Sequence, residues 1–209
     1  LIAGWVSQPS RIAESQPVSD VDAQALRLVA RRAWHYFDTF VTAADNMLPP
    51  DNFQEEPWPV LAHRTSPTNL GLYLLSTASA RDFGWIGTVD ALERLEATLA
   101  TMALLQRFRG HFYNWYDTRD LRPLDPRYVS SVDSGNLAAH LVTAANAALE
   151  WPEAPVTPAR FAAGARDALD LAREALHVIP APVRTGSGLW QQFATEIDRI
   201  AGMLDETAL

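Results

Sequence analysis

The sequence alternates between two kinds of helix, and this alternation limits the fold more than any other feature. Two segments, LGLYLLSTASARDF and SGNLAAHLVTAANAAL, are apolar on nearly all sides. The helices around them have one apolar stripe and a charged opposite side. A helix that is apolar all round is buried between layers, whereas a striped helix covers a layer from outside. The sequence therefore predicts an all-α fold of successive helical hairpins in two layers.

Start and stop signals predict six helices. The first begins at the Ser19 cap and runs to about Ala44, and its stripe is expected to bury Leu26, Val29, Ala33, Phe37 and Phe40. The later helices begin at Ser66-Pro67, at Thr88, near Asp133, at Thr157-Pro158 and near Gly188, with stops at Gly84 and, after about Phe108, at Gly110. A ring of six hairpins needs about twelve helices. The prediction is therefore about half of an (α/α)6 toroid, with a short irregular or β-hairpin insertion near 111–133.

Composition excludes several classes of function. The chain has 209 residues with a net charge of -8, and all 17 basic residues are arginine, so a nucleic-acid partner is not expected. It has no cysteine, and its five histidines lack the spacing of metal ligands, so neither a metal nor a cofactor is expected. The apolar start LIAGWV is far shorter than the roughly 20 residues of a spanning helix, so we expect no membrane insertion by this chain.

One segment has no helical period at all. The stretch HFYNWYDTRDLRPLDPRYVSSVDSGN, residues 111–136, lies directly before the second of the two wholly apolar helices, and HRTSPTN, residues 63–69, lies before the first. In two concentric layers the amino ends of inner helices emerge on one side. We therefore expect these two segments to converge there, with helix amides and partial positive charge available to a polar ligand.

The residue types in these segments favour a sugar ligand. Aromatic rings stack on the apolar face of a pyranose, while carboxylate, amide and guanidinium groups bind its hydroxyls. Carboxylates in such a cleft also serve as acid, base or nucleophile in glycosidic chemistry, although the sequence does not identify a catalytic pair. The candidate sugar contacts are Arg64, Asn69, Tyr113, Trp115, Tyr116, Asp117, Arg119, Asp133 and Asn136.

Structural interpretations of the same residues remain open. Trp115 fits a core wedge between helices as well as a ligand platform. Asp133 fits an N-cap, because it stands at a predicted helix start. Arg64 and Arg119 are also consistent with a structural role, in which they only bridge nearby aspartates or bind helix carbonyls.

Several stretches between Asp45 and Leu141 closely resemble the central region of cyclic β-1,2-glucan synthases, among them DNMLPPDNFQEEP, AHRTSPTNLGLYLLSTASARDFGWIGT and RFRGHFYNWYDTRDLRPLDPRYVSSVDSGNLAAHL. The resemblance implies a very large bacterial inner-membrane protein. Its regions are an amino-terminal glycosyltransferase that uses UDP-glucose, a central glucoamylase-like α/α toroid and a carboxy-terminal phosphorylase-like region. Residues 1–18 would then be a linker after a membrane segment, and residues 19–209 a fragment of the toroid.

The resemblance also implies a function. In this family the central region is expected to act as a retaining transglycosylase that closes linear β-1,2-glucan into a ring. The implied partners are β-1,2-glucan and the remaining regions of the parent polypeptide, and the implied location of this region is the cytoplasmic side of the inner membrane. Catalytic carboxylates are expected on later hairpins, so the isolated chain is expected to be inactive. The alternative is a noncatalytic helical spacer between the membrane glycosyltransferase and the phosphorylase-like region.

Overall fold

The computed structural model describes residues 17–178 and 188–206, and this part of the chain is built from helices. We label them α1 (Asp20–Phe40), α2 (Pro67–Asp82), α3 (Thr88–Leu104), α4 (Ser131–Glu150), α5 (Pro158–Val178) and α6 (Leu189–Glu206). The predicted all-α class is confirmed. The apolar start LIAGWV lies outside the described residues, and the proposed boundary at residue 18 stays a prediction.

Side-chain caps set the helix starts. The Ser19 hydroxyl accepts a hydrogen bond from the Asp22 amide at 3.1 Å, and Ser66 accepts one from the Asn69 amide at 3.2 Å. Both caps are as predicted. At α4 the cap is Ser130, which accepts from the Asp133 amide at 3.1 Å. The interpretation of Asp133 as an N-cap is therefore wrong, because the helix begins earlier and Asp133 lies inside its first turn.

Two helices end earlier than predicted. The first ends at Phe40, four residues before Ala44, because Val41 turns into extended backbone and only a single 3-10 turn follows at Ala43–Asp45. The third ends at Leu104 rather than near Phe108, because Arg109 and Gly110 take positive φ angles of 51° and 88° and reverse the chain. A hairpin forms there in place of the last helical turn.

The strands of the described chain are six two-residue pieces in three antiparallel pairs. They are β1 (Phe53–Gln54) with β2 (Val60–Leu61), β3 (Arg64–Thr65) with β6 (Tyr116–Asp117), and β4 (Arg107–Phe108) with β5 (His111–Phe112). The predicted insertion near 111–133 is thus only partly a hairpin. Strand β5 of this segment pairs with β4 in a hairpin. Strand β6 pairs instead with β3, which lies about 50 residues earlier in the chain.

Helix α2 lies at the centre of the described fold. It contacts α1, α3 and α4, and its buried residues include Leu70, Tyr73, Leu74 and Ala80. The prediction of an inner helix is confirmed for α2. Helix α4 differs: one side packs on α2, but Val142 and Leu149 on the other side are 63% and 77% exposed. Burial of α4 on both sides, as its sequence predicts, is therefore not observed in the described residues.

Helices α2 and α4 run parallel. Near their amino ends the Thr68 hydroxyl donates to Asp133 at 2.6 Å, and near their carboxyl ends the Arg81 guanidinium lies 5.2 Å from the Trp151 ring centroid. Parallel packing places the amino ends of both helices, and the loops that precede them, on one side of the molecule.

The predicted stripe of α1 is buried only toward its carboxyl end, where Phe37 packs against the core. Leu26 and Val29 are 62% and 60% exposed, whereas Arg27 points inward and pairs with Asp167 of α5 at 2.6 Å. Asp167 is 1% exposed, and it also accepts a hydrogen bond from Trp85 Nε1 at 2.8 Å. A buried carboxylate with three N–H donors from Arg27 and Trp85 thus favours this side of α1 toward α5, and Leu26 and Val29 remain exposed.

Candidate functional site

The two polar segments converge as the sequence predicts. Strand β3 pairs with β6 so that Arg64 lies opposite Asp117 and Thr65 opposite Tyr116. One residue further along, the Thr118 amide donates to the His63 carbonyl at 3.1 Å. The bridge lies directly before the amino end of α2, and the chain after β6 leads into α4. Segments some 50 residues apart therefore form one surface at the amino ends of two parallel helices.

Arg64 and Trp115 form the centre of this surface. The Arg64 guanidinium lies 4.9 Å from the centroid of the Trp115 ring. Its Nε and Nη2 donate to Asp51 Oδ2 at 3.1 and 2.8 Å, and half of the Arg64 side chain is exposed. The Trp115 side chain is half-buried. Arg64 therefore does bridge an aspartate, as the structural interpretation holds, and it also covers an aromatic ring, which places a cation over a π face.

Asp51 is a central residue that the sequence analysis missed. Besides Arg64, it accepts hydrogen bonds from the side-chain amides of Asn69 at 3.2 Å and Asn52 at 3.0 Å. Its own amide donates to the Ala62 carbonyl at 3.2 Å, which anchors it beside the β1–β2 hairpin. Asp51 lies in a proline-rich loop without periodicity, and no local signal relates it to Arg64.

A second group of hydrogen bonds surrounds Asp133. Asp133 Oδ1 accepts from the Thr68 hydroxyl at 2.6 Å, and the Asn136 amide donates to the same hydroxyl oxygen at 3.2 Å. Asn114 is 6% exposed. Its side-chain amide forms hydrogen bonds with all its neighbours when the nitrogen donates to Asp133 Oδ2 at 3.0 Å. Its oxygen then accepts from Trp115 Nε1 at 2.8 Å. Asp133 thus contacts both Thr68 of α2 and Asn114 of the segment between β5 and β6.

Tyr116 is a packing residue in the described structure, and its predicted contact with a sugar stays a prediction. Its side chain is fully buried. The hydroxyl donates to the Gln106 carbonyl at 2.7 Å and accepts from the Tyr113 amide at 2.7 Å. Burial raises the pKa of Tyr116 to about 12. Tyr113 is half-buried and lies edge-on to Tyr116, with ring centroids 6.4 Å apart.

Asp117 and Arg119 form a turn. The Asp117 carboxylate accepts from the Arg119 amide at 2.8 Å, from Arg119 Nη2 at 3.3 Å and from the Asp120 amide at 3.4 Å. Burial alone would raise the pKa of Asp117, but these hydrogen bonds, those from Arg119 first, outweigh it and lower the pKa. The carboxylate is almost buried, whereas 59% of the Arg119 side chain is exposed. Asp117 therefore stabilises the loop, and Arg119 has the accessible group.

Asp45 is a second carboxylate that was missed from sequence, and it connects to residues on both sides of the β3–β6 pairing. Asp45 is 2% exposed, its Oδ1 lies 2.7 Å from His63 Nδ1, and the same oxygen accepts from the Thr118 hydroxyl. The neighbouring Asn46 amide donates to the Thr118 carbonyl at 2.8 Å. This group joins the loop after α1 to both polar segments, so it fixes the position of the surface on the helices.

Two further features bear on the kind of site. Within residues 17–178 and 188–206, no group of histidine and acidic side chains has the arrangement of a metal site. None of the helices described for this chain is both long and apolar enough to cross a membrane.

Comparison with a curated protein agrees with the sequence resemblance. Over 180 residues the chain is 50% identical to the cyclic β-(1,2)-glucan synthase NdvB of Rhizobium meliloti (strain 1021). This match covers 86% of the chain and 6% of that synthase, so the chain spans a small part of its relative. A solved structure assigned as a glucoamylase from Bacteroides fragilis NCTC 9343 aligns with 94% of the chain and 37% of that protein, at 15% identity and a TM-score of 0.41. No protein-family model matches.

Proposed function

We propose that this chain is part of a cyclic β-1,2-glucan synthase and contributes a glucan-binding surface to the region that closes the glucan ring. The 50% identity to such a synthase over most of the chain supports the membership. The ligand follows from that protein's name, which specifies β-1,2-linked glucan. The parent protein would lie at the bacterial inner membrane, with this region on the cytoplasmic side.

The observation that carries the binding role is the stack of Arg64 on Trp115. It lies before the amino ends of α2 and α4, with a guanidinium 4.9 Å from an indole ring. Sugar hydroxyls accept hydrogen bonds from guanidinium groups, and the C–H face of a glucose ring packs on aromatic carbon. Half of the Arg64 side chain is exposed and Trp115 is half-buried, so we assign the guanidinium and the part of the indole that Arg64 does not cover to contacts with the same glucose unit.

The remaining candidate contacts divide by exposure. The side chains of Arg119 and Asn136 are exposed and Asn69 is half-buried, so these three complete the proposed surface around the stack. Asp133 is not assigned a sugar contact, because Thr68 and Asn114 already donate to its two oxygens. Asp117, Tyr113 and Tyr116 are instead assigned to support of the loop.

The exposed side of α4 supports the larger architecture. An apolar helix face with Val132, Val142 and Leu149 between 63% and 77% exposed resembles a buried surface whose partner helices belong to other parts of a ring. We therefore propose that the hairpins form part of an α/α toroid in the complete synthase.

The chain is not proposed to contain the catalytic pair. Asp51 and Asp133 both have their oxygens occupied as acceptors by arginine, asparagine or threonine donors. The general acid of a glycosidase must instead donate a proton to the oxygen of the leaving group. We expect the isolated 209-residue chain neither to hydrolyse nor to cyclise β-1,2-glucan.

The second candidate is a noncatalytic spacer or interaction module, and the exposed α4 face is the observation that favours it. In this case α4 would contact another region of the synthase, and the Arg64–Trp115 stack would stabilise only the loop.

Titration calorimetry separates the two candidates. Linear β-1,2-glucan should bind the 209-residue chain, whereas linear β-1,3-glucan of equal length should bind more weakly. Trp115→Ala and Arg64→Ala should each weaken binding by about tenfold or more, since each removes part of the platform. The matched control is Arg122→Ala, which removes an exposed arginine of the same loop that pairs only with Asp120, at 2.8 Å, among the described ion pairs. Equal affinity for all variants, or no binding at all, would favour the spacer.

A further inference from the structure

We propose that Asp51 and Asp133 are positioning residues that restrain the Trp115 indole for glucan binding, the first through Arg64 and the second through Asn114. The inference rests on the proposed glucan-binding function and deepens it. It gives these two carboxylates a role that is neither catalytic nor one of direct recognition.

The first restraint acts on the face of the indole. Arg64 Nε and Nη2 both donate to one oxygen, Asp51 Oδ2, so two edges of the guanidinium are held at a single point of the carboxylate. Half of the Arg64 side chain is exposed, and a free arginine there would sample many rotamers. Asp51 is 18% exposed and is itself held by Asn52, Asn69 and the Ala62 carbonyl. Asp51 therefore fixes the guanidinium over Trp115.

The second restraint acts on the edge of the indole. Trp115 Nε1 donates to the Asn114 oxygen at 2.8 Å, and the Asn114 nitrogen donates to Asp133 Oδ2 at 3.0 Å. The Asn114 side chain is buried and also accepts from the Tyr128 hydroxyl at 2.8 Å, so its amide has little freedom to rotate. Asp133 stands in the first turn of α4 and is tied to α2 by Thr68.

The two restraints come from different parts of the fold and meet on one ring. Asp51 belongs to the loop before β1, whereas Asp133 belongs to α4. A ring fixed on both face and edge loses less freedom when a ligand binds, so preorganisation increases affinity without any new contact to the sugar. Removing either carboxylate should therefore weaken binding although neither needs to touch the glucan.

Fluorine NMR on the 209-residue chain tests this directly. The chain has seven tryptophans, which 5-fluorotryptophan labels together, and Trp115→Phe assigns the Trp115 resonance. The variants are Asp51→Asn and Asp133→Asn, which keep size and remove charge. Arg64→Lys is a further variant, which keeps the charge but loses the planar two-donor contact. Asp125→Asn is the matched control, because that side chain is 84% exposed and pairs only loosely with Arg127 at 3.4 Å.

In Asp51→Asn, Asp133→Asn and Arg64→Lys the Trp115 resonance should shift or broaden. Linear β-1,2-glucan should bind each about three- to fivefold more weakly, the scale of one exposed cation–π contact. Asp125→Asn should change neither quantity. An unchanged Trp115 resonance in folded Asp51→Asn and Arg64→Lys overturns the inference, and so does a moved resonance with unchanged affinity. If the unsubstituted chain binds no glucan, the proposed function fails with it, while the fluorine spectra still show whether the restraint exists.

Discussion

Replacing Asp167 by asparagine should destabilise the fold far more than its position on a surface helix suggests. Asp167 is 1% exposed and accepts hydrogen bonds from Arg27 Nε at 3.1 Å, Arg27 Nη2 at 2.6 Å and Trp85 Nε1 at 2.8 Å. Asparagine keeps the shape but leaves the Arg27 cation, whose side chain is only 25% exposed, without its counter-charge.

The magnitude follows from this geometry. Breaking a buried pair from one side costs about 3–5 kcal/mol. Arg27 retains some contact with water, and asparagine still accepts from Trp85, so we expect a loss of about 2–4 kcal/mol in the free energy of unfolding. Asp198 provides the matched control. It also pairs with an arginine, Arg173, at 2.8 Å, but it is 72% exposed, so Asp198→Asn should cost less than about 1 kcal/mol.

The assay is urea unfolding followed by circular dichroism at 222 nm. Arg27→Met and the double variant complete a thermodynamic cycle, in which Arg27 and Asp167 should show a coupling energy of about 1–3 kcal/mol. Equal losses for Asp167→Asn and Asp198→Asn would refute the reasoning, because burial would then not decide the strength of the pair.

Three further predictions follow from the same geometry. Gly71→Ala should destabilise the fold by about 1–3 kcal/mol in urea unfolding, because its Cβ would lie 2.2 Å from His140 Nδ1, whereas Gly135→Ala, with open space around its Cβ, should not. The folded-state pKa of Asp117 lies below its ordinary value of 3.8, so its contribution to stability is present above that pH and lost as pH falls through the lower value. Asp117→Asn should therefore flatten the acid limb of the stability profile, and an unchanged limb would show that the carboxylate stabilises nothing. Product analysis after incubation with linear β-1,2-glucan should detect no cyclic glucan, and any cyclic product would mean that the chain contains a catalytic pair.

Local signals were sufficient for the starts of α1 and α2. The caps at Ser19 and Ser66 involve an amide three residues away, so the residues that form them are adjacent in the sequence. At α4 the sequence offers Ser130, Ser131 and Asp133 within four positions. Which of them caps the helix depends on the position of the loop before α4. Tertiary contacts of that loop determine this position.

Face selection and the details of the site depend on contacts that no local pattern contains. Leu26 and Val29 have the right period for a buried stripe, but the Arg27–Asp167 pair joins positions 140 residues apart and brings the neighbouring side of α1 against α5. Asp51 and Asn114 were missed for the same reason. Convergence of the two polar segments could be predicted, since it follows from helix order alone, but the β3–β6 register that places Arg64 opposite Asp117 could not.

The most direct test of the glucan-binding surface is an ¹⁵N NMR titration of the 209-residue chain with linear β-1,2-glucan. The account predicts saturable shifts of the Trp115 indole N–H and the Arg64 Nε–H, which form the stack at 4.9 Å. The Arg199 Nε–H on α6, which pairs with Glu196 at 2.9 Å, should not move. Shifts confined to α6 or to the exposed side of α4, or no shift at millimolar glucan, would contradict the account.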